Sequence, residues 1–377
     1  MRIERVELFE LTLPLVEPFI ISGGAVPARR SLIVVLHDDA GHAGYGESPP
    51  FELPFYSEET FASARALIET VLFPRVAGRE FESPEAVDAA LQANVRGNYF
   101  ARAALETAAW DLEADARGTG LAQLVAERLR VTPAGTVPCG VALGIPEDRS
   151  PDTLTRRVAA AIARGYVRVK IKVAPGWDAV AVRAARAGMA GVDLPLTVDA
   201  NGAYRWPAQE RELRALDEAG LLYIEQPLEP DDLVGHARLA HALRTAVCLD
   251  ETLRSAGHAE QVVALEGPRV WNIKVHRVGG LTEVCRIYAV AARYGAELWA
   301  GTMPESGIGS QAALAVAALP LCVYPSDLEP SDRWFGRNAD VIKLSMGPDG
   351  RMSVPAQSAR RLLDPGRFRS ATRAIPV

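Results

Sequence analysis

The sequence predicts an α/β protein in which a (β/α) barrel follows an α+β domain. The chain has 377 residues, enough for a second domain beside a barrel of about 200 to 250 residues. Residues 1–60 alternate like strands, and the part after residue 130 repeats a strand-like run, a polar loop and an Ala-rich helix. We therefore expect an N-terminal domain at 1–130, a barrel at 131–340 and a C-terminal segment at 341–377.

The N-terminal domain is expected to combine a sheet with helices. Alternating and β-branched runs separated by Gly and Pro predict a three-stranded meander. Helical spacing begins after Ser57, where Ser57 and Glu59 are candidate capping residues. A longer helix is predicted from Ala101 to Gly118, because its apolar residues recur at helical spacing.

The barrel is predicted from eight strand-like runs separated by helical spacing. Parallel strands need such crossovers, and eight of them in about 200 residues are typical of a (β/α) barrel. A doubly wound open sheet is the alternative, but no G-x-G-x-x-G motif follows an early strand. The runs are TVPCGVALG, YVRVKIKV, LPLTVDANG, LLYIEQPL, TAVCLDET, RVWNIKVHRVGG, AELWAGTMPE and the weaker LCVYPSDL. Short strand-like pieces after Asn338 are expected to pack on the N-terminal domain.

Composition indicates an ordinary globular protein. The net charge is −6 without a block of like charges, so neither nucleic acid nor an anionic membrane is an expected partner. The four cysteines are far apart and form no CxxC pair, which argues against a zinc cluster or a disulfide framework. The charged N-terminus lacks the apolar core of a signal peptide, and no apolar run reaches about 18 residues. We expect a soluble cytoplasmic protein that forms a homo-oligomer.

The run YVRVKIKV places Arg168, Lys170 and Lys172 on one face of a strand and apolar residues on the other. In an antiparallel sheet this face would be solvated, which is the alternative explanation for the strand taken alone. In a barrel one face meets the helices and the other meets the interior, so the lysines must point inward.

Three carboxylates occupy matching positions in the next runs. Asp199, Glu225 and Asp250 are 26 and 25 residues apart, and each ends an apolar strand with inward parity. They should therefore meet at the C-terminal mouth of the barrel, where barrel enzymes carry their chemistry. Converging carboxylates need a cation, and hard oxygen donors suit Mg²⁺ best, with Mn²⁺ as an alternative.

Lys274 lies at the same level of the following run, 24 residues after Asp250. Taken singly, Asp199 could belong to a turn, Glu225 could be a strand end and Lys274 a surface lysine. Together they put one lysine on each side of a metal site. A proton next to a carboxylate is barely acidic, and a cation stabilises the enediolate left after its removal. A lysine base must be neutral, although free lysine titrates near 10.4.

These residues resemble the muconate-lactonizing-enzyme subgroup of the enolase superfamily. The motifs are Lys170-Ile-Lys172, Asp199-Ala-Asn201, Glu225-Gln-Pro, Asp250-Glu251 and Asn272-Ile-Lys274. Together with ESGIG and PSDLEPSDRWF they are most similar to the o-succinylbenzoate synthase and N-acylamino acid racemase branch, and the resemblance covers nearly the whole chain. It implies a (β/α)7β modified TIM barrel with an α+β N-terminal capping domain, which the C-terminal tail completes.

The resemblance also implies roles for individual residues. Lys172 and Lys274 would be the acid/base groups, and Lys170 would tune Lys172. The metal ligands would be Asp199, Glu225 and Asp250. Residues expected to contact substrate or to support the site are Asn201, Glu251, Glu305, Ser306, Phe19, Ser22, Tyr56 and His276.

Two departures from the family pattern bear on the substrate. Thr302-Met-Pro-Glu-Ser306 stands where the branch carries Gly-Met-Leu-Glu-Ser, and His276 stands where a small residue is usual. His276 could supply a proton or could be a hydrogen-bonded structural histidine. Phe19 and Tyr56 could equally be core aromatics.

The resemblance implies an N-acylamino (N-succinylamino) acid racemase, an o-succinylbenzoate synthase, or both, and thus a small-molecule carboxylate substrate. Muconate-type cycloisomerase and dipeptide epimerase are the alternatives that reuse the same site. A zinc hydrolase would need clustered histidines, which the six histidines here do not form. A Schiff-base aldolase could use Lys274 but needs no aligned carboxylates, and a barrel that only binds a ligand would not need every acid and base. The substrate stays open, because specificity depends on loops remote from the reacting carbon.

Overall fold

The computed structural model describes residues 1–21, 24–336 and 338–376, with side chains described outside 18–26. The strands in that part of the chain are β1 Ile3–Ile21, β2 Gly24–Asp38, β3 Ala43–Ser48, β4 Thr136–Pro138, β5 Gly140–Leu143, β6 Arg168–Lys172, β7 Leu196–Asp199, β8 Tyr223–Glu225, β9 Ala246–Leu249, β10 Val270–Ile273, β11 Glu297–Ala300, β12 Arg351–Ser353 and β13 Thr372–Ile375.

The α-helices there are α1 Phe61–Leu67, α2 Phe73–Val76, α3 Pro84–Gln92, α4 Tyr99–Arg117, α5 Leu121–Leu129, α6 Pro151–Ala163, α7 Asp178–Met189, α8 Glu210–Asp217, α9 Leu233–Ala242, α10 Ala256–Ala264, α11 Val275–Val278, α12 Leu281–Tyr294, α13 Gly307–Ala317, α14 Ser331–Trp334, α15 Ala359–Leu362 and α16 Pro365–Ala371. A π-helical turn, Ile68–Leu72, joins α1 to α2. No helix within these described ranges is long and apolar enough to cross a membrane.

The N-terminal domain is an antiparallel sheet covered by helices. Strands β1, β2 and β3 form the predicted meander, and β13 from the C-terminal end adds a fourth strand beside β1. Helix α4 lies directly against β3. A β-carbon on Gly46 would stand only 1.9 Å from the Ala104 carbonyl oxygen, so glycine is needed for this close approach. The helix ends where predicted, at Gly118, whose φ of +63° gives a left-handed C-cap.

The expected cap at Ser57 and Glu59 was wrong in detail. Thr60 is the N-cap of α1, and its side chain accepts a hydrogen bond from the Ser63 amide. Glu59 instead accepts hydrogen bonds from the amides of Phe100 and Ala101, at 2.9 Å each, and so caps the start of α4. A local sequence pattern cannot show that the first turn of a distant helix needs this carboxylate.

The barrel contains a parallel sheet with strand order β11-β10-β9-β8-β7-β6-β5, as the repeats predict. The weak eighth run is not a regular strand. Its bridges Leu298 to Cys322 and Cys139 to Ser326 nevertheless fill the gap between β11 and β5. The run TVPCGVALG is divided, since β4 pairs with β12 and β5 with β6. Strand β12 therefore lies against the barrel, whereas β13 lies against β1.

The register of the barrel strands aligns their C-terminal ends. Lys172 is the partner of Asp199, and Asp199 is the partner of Glu225. On the opposite face, Val169 and Ile171 are fully buried in the core formed with the surrounding helices. The polar face of β6 thus points into the barrel, as the parity of the sequence predicts.

Candidate active site

Three buried carboxylates meet at the mouth of the barrel. Asp199 ends β7, Glu225 ends β8 and Asp250 directly follows β9, and their exposed fractions are 1%, 0% and 0%. Asn272 in β10 connects two of them, since its Nδ2 donates to Glu225 Oε1 at 2.8 Å and to Asp250 Oδ1 at 2.9 Å. The carboxylates of three neighbouring strands therefore form one cluster.

Lysine amines contact this cluster from two sides. Lys170 Nζ lies 2.8 Å from Glu225 Oε2 and 3.5 Å from Asp199 Oδ2. Lys172 Nζ lies 2.6 Å from Asp199 Oδ2. On the other side, Lys274 Nζ lies 2.8 Å from Asp250 Oδ2. The negative charge of the carboxylates is thus compensated by amines from β6 and from the end of β10.

The pKa values follow from burial and from these contacts. Burial and the charge of Asp199 raise the pKa of Glu225, against the opposing effect of Lys170. Burial lowers the pKa of Lys274, but Tyr56 and the carboxylates of Glu251 and Glu225 outweigh it, and the net shift is upward. Burial also lowers the pKa of Lys170, but the carboxylates of Asp327, Glu225 and Asp199 outweigh it, and the net shift is again upward. In this arrangement Lys274 is an ammonium ion.

The carboxylate cluster fits a hard divalent cation by the chemistry of its donors. Asp199, Glu225 and Asp250 offer only oxygen ligands, as Mg²⁺ prefers, and all three are buried next to one another. Within the described residues no three His, Cys, Asp or Glu side chains are already arranged around one point as ligands. The amines of Lys172 and Lys274 lie on Asp199 Oδ2 and Asp250 Oδ2, so they compete with an ion for the negative charge of these two carboxylates.

Other predicted site residues lie beside the lysines. Asn201 Oδ1 accepts from Lys172 Nζ at 2.5 Å, and Asn201 Nδ2 donates to Glu251 Oε1 at 2.8 Å. Glu251 Oε2 is buried and has no hydrogen-bond partner among the described residues. The Tyr56 hydroxyl lies 3.0 Å from Lys274 Nζ, and the amine stands 4.8 Å from the ring centroid. Through Tyr56 the N-terminal domain thus contacts Lys274.

Glu305, Ser306 and His276 are buried, but the structure gives none of them a contact to the three carboxylates. Burial raises the pKa of Glu305 to about 7, and Ser306 Oγ donates to Glu47 Oε2 at 2.6 Å. Burial, then the charge of Arg29, lowers the pKa of His276 to about 3, so its imidazole is neutral. Its Nε2 is buried and has no hydrogen-bond partner in the described part of the chain. The side chain of Phe19 and all of Ser22 lie outside the described residues.

Several residues of the site were missed from the sequence. Arg277 donates to Asp250 and, at 2.6 Å, to the Asn272 carbonyl oxygen. Asp327 binds Lys170 Nζ at 2.5 Å and Arg168 at 2.6 Å. Asn272 belongs to the Asn272-Ile-Lys274 motif, but no role was predicted for it, although it shares the inward parity of Lys274. Asp327 lies near the end of the weak eighth run, LCVYPSDL, where the barrel pattern also places functional carboxylates.

Arg29 was also missed, and it connects the two domains beside the mouth. Its guanidinium is buried and donates to the carbonyl oxygens of Pro50 at 3.1 Å, Met303 at 3.2 Å and Pro304 at 3.2 Å. Burial lowers the pKa of Arg29 to about 10 despite the nearby carboxylates of Glu47 and Glu305. No local sequence signal indicates such a contact between domains.

Two family models match the chain. Residues 4–126 match the mandelate racemase / muconate lactonizing enzyme N-terminal domain, and residues 153–358 match the enolase C-terminal domain-like model. The chain is 41% identical over 356 residues to an N-succinylamino acid racemase of Thermus thermophilus, covering 94% of this chain and 93% of that protein. It is 38% identical over 353 residues to an o-succinylbenzoate synthase of Geobacillus kaustophilus, covering 94% and 91%.

Solved structures agree with these relatives. A member of the enolase superfamily from Enterococcus faecalis has a TM-score of 0.89 at 34% identity, with 100% of this chain and 99% of that chain covered. Muconate lactonizing enzyme and a dipeptide epimerase are more distant, at 21% and 23% identity, and show a shared fold alone. The chain therefore belongs to the mandelate racemase / muconate lactonizing enzyme family of the enolase superfamily, and it is a metal-dependent enzyme of the racemase or lyase type.

Proposed function

We propose that the protein removes a proton next to a substrate carboxylate, as an N-succinylamino acid racemase, an o-succinylbenzoate synthase, or both. One observation carries this proposal. Lys172 on β6 and Lys274 at the end of β10 contact the carboxylate cluster from opposite sides, with strands β7, β8 and β9 between them. A substrate lying on that cluster would have an amine near each face of its α-carbon.

The proposed metal ligands are Asp199, Glu225 and Asp250, with Mg²⁺ as the ion and Mn²⁺ as the alternative. A bound Mg²⁺ would supply positive charge beside the substrate carboxylate, which makes the α-proton easier to remove. Asn272 would hold Glu225 and Asp250 in place, because it donates to both. Substrate carboxylate oxygens would complete the coordination of the ion, as Mg²⁺ usually keeps positions for such ligands.

Proton transfer is assigned to the two lysines. In a racemase one lysine, as a neutral amine, takes the α-proton from one face, and the other, as an ammonium ion, returns a proton to the opposite face. In a synthase Lys172 acts as the base, and Lys274 stays charged and stabilises the enediolate. A bound ion would add positive charge beside Lys172, whose amine lies 2.6 Å from Asp199 Oδ2.

The surrounding residues are proposed to position these groups. Asn201 and Glu251 would orient Lys172, because Asn201 bonds to both of them. Tyr56 would orient Lys274 from the N-terminal domain. Lys170 stays bound to Glu225 and Asp327, and its charge would tune Lys172 two residues away.

We also propose that the N-terminal domain, 1–130, caps the barrel, 131–340, and that the segment 341–377 completes the cap through β13, although its strand β12 pairs with β4. The pairing of β13 with β1 and the contacts of Arg29 with both domains support this division. The distal part of the substrate would then lie near Glu305, Ser306 and His276, and near the segment that carries Phe19 and Ser22. The cytoplasmic location and the homo-oligomeric state remain predictions.

A substrate screen with Mg²⁺ tests the proposed reaction. The panel contains both enantiomers of N-succinyl and N-acetyl amino acids, dipeptides, muconates and the hydroxy acid that loses water to form o-succinylbenzoate. We expect racemisation of N-succinyl amino acids, formation of o-succinylbenzoate, or both. Turnover of dipeptides or muconates alone would instead favour the epimerase or the cycloisomerase.

A further inference from the structure

A buried carboxylate that the proposed mechanism does not use lies between the two domains. Glu106 is on α4 of the N-terminal domain and has no exposed surface. Its Oε1 accepts hydrogen bonds from the Thr282 amide at 2.7 Å and from Trp110 Nε1 at 2.8 Å. Its Oε2 accepts from the Leu281 amide at 2.8 Å. All three partners are hydrogen-bond donors, as an ionised carboxylate requires. Burial acts in the opposite direction and raises the pKa of Glu106 to about 8.

These contacts make Glu106 the N-terminal cap of α12. The N-cap position of that helix is Gly280, which has no side chain to accept a hydrogen bond. A β-carbon on Gly280 would lie 2.1 Å from Glu106 Oε2, and φ is +126° there, so only glycine leaves room for the carboxylate. A negative group at a helix N-terminus is also favoured by the helix dipole. The N-terminal domain thus supplies the cap that the barrel helix lacks.

The capped helix begins a few residues after Lys274. The single turn of α11 joins them, since the Val278 amide donates to the Lys274 carbonyl oxygen at 3.2 Å and the Gly280 amide to that of Val275 at 3.0 Å. On its other side α11 is fixed by Arg277, which donates to Asp250. The backbone of Lys274 is therefore held by one short turn between the metal cluster and Glu106.

We propose that Glu106 is a positioning residue that holds Lys274 on its face of the substrate through α11 and the start of α12. This inference rests on the proposed racemase function, in which each lysine serves one face. Lys172 lies on β6, whose hydrogen-bonded neighbours are β5 and β7, so its position does not depend on this turn. Loss of the Glu106 contact should therefore harm proton transfer on the Lys274 face alone.

The experiment measures exchange of the α-proton for deuterium, separately for each enantiomer of an N-succinyl amino acid, with Mg²⁺ in heavy water. Lys274→Arg first identifies the enantiomer whose proton faces Lys274. Glu106→Gln would bring an amide N–H against the Leu281 amide, and Glu106→Asp withdraws the carboxylate by one methylene. The matched control is Asp111→Asn, which removes another buried carboxylate of α4, one that accepts from the amides of Tyr45 and Ala359.

We expect Glu106→Gln to slow exchange of the enantiomer that faces Lys274 by about 10- to 100-fold, since small displacements of a reacting group have effects of this size. Exchange of the other enantiomer should change less than about threefold. In Asp111→Asn the exchange rates of the two enantiomers should change by the same factor, if they change. If Glu106→Gln does not fold, Glu106→Asp must show the same asymmetry. Equal loss for both enantiomers, or no loss, would overturn the inference. Failure of the unmodified protein to exchange either enantiomer would overturn the proposed function itself.

Discussion

The amine of Lys274 lies 2.8 Å from Asp250 Oδ2, on an oxygen that we propose as a metal ligand. Lys172 stands in the same relation to Asp199 Oδ2, at 2.6 Å. A cation and an ammonium group on the same carboxylate compete for its negative charge. Metal binding and the release of the two lysines are therefore expected to be one event, which leaves the amines free to face the substrate.

Competition between the ion and Lys274 gives a first prediction. Lys274→Ala should bind Mg²⁺ about tenfold more tightly than the unmodified protein, since it removes a competing charge worth roughly 1.4 kcal/mol. Isothermal titration without substrate measures this affinity. The exposed Lys343→Ala serves as the control, and weaker Mg²⁺ binding by the Lys274 variant would show that the amine does not compete. Turnover of the unmodified protein should disappear with a chelator and return with Mg²⁺.

A second prediction concerns Gly301, just after β11. A β-carbon there would lie 2.4 Å from Asn272 Oδ1 and 2.8 Å from Lys274 Cε. Gly301→Ala should therefore displace Lys274 and lower kcat by about 100-fold, while the protein stays folded. Gly135→Ala is the matched control, because its β-carbon would meet open space. Unchanged kcat in Gly301→Ala would mean that Lys274 tolerates displacement.

The third prediction concerns pH and His236. Burial lowers its pKa from 6.5 to about 4, and its Nε2 accepts from the Leu228 amide at 3.3 Å, which requires the neutral ring. Between pH 6.5 and about pH 4, His236 is therefore protonated in the unfolded chain but neutral in the folded protein. The free energy of unfolding falls as the pH drops below 6.5. Between pH 7.5 and pH 5.5 this histidine should cost about 1 kcal/mol of unfolding free energy.

Urea unfolding at the two pH values measures this cost. His236→Gln removes the titrating group, so the variant should lose about 1 kcal/mol less than the unmodified protein between pH 7.5 and pH 5.5. His37→Gln is the control, because His37 pairs with Glu7 near the end of β2, where both side chains are partly exposed. An equal pH dependence in His236→Gln and the unmodified protein would contradict the assignment.

The sequence was sufficient to predict the carboxylate cluster because two short-range regularities determine it. Side chains alternate along each strand, and each strand-helix unit returns the chain to the same end of the barrel. Asp199 and Glu225 are thus register partners, as their spacing indicates. The same regularity places Lys170 and Lys172 inward.

The contacts between domains could not be predicted in this way. Glu106 and Thr282 are 176 residues apart, and neither residue belongs to a motif that points to the other. The same is true of Arg29 and Met303, which are 274 residues apart. Such pairs depend on how the surfaces of the two domains pack against each other. The eighth barrel run has a weak strand pattern in sequence, and in the structure it makes isolated bridges rather than a continuous ladder.

The central claim is that Lys172 and Lys274 serve opposite faces of one substrate carbon. Replacing each by Ala and following α-proton exchange of both enantiomers in heavy water tests it most directly. Racemisation should fall by about 100- to 10,000-fold in both variants. Each should still exchange one enantiomer, and the two variants should keep different ones. Racemisation at the unmodified rate in either variant, or retention of the same enantiomer by both, would contradict the account.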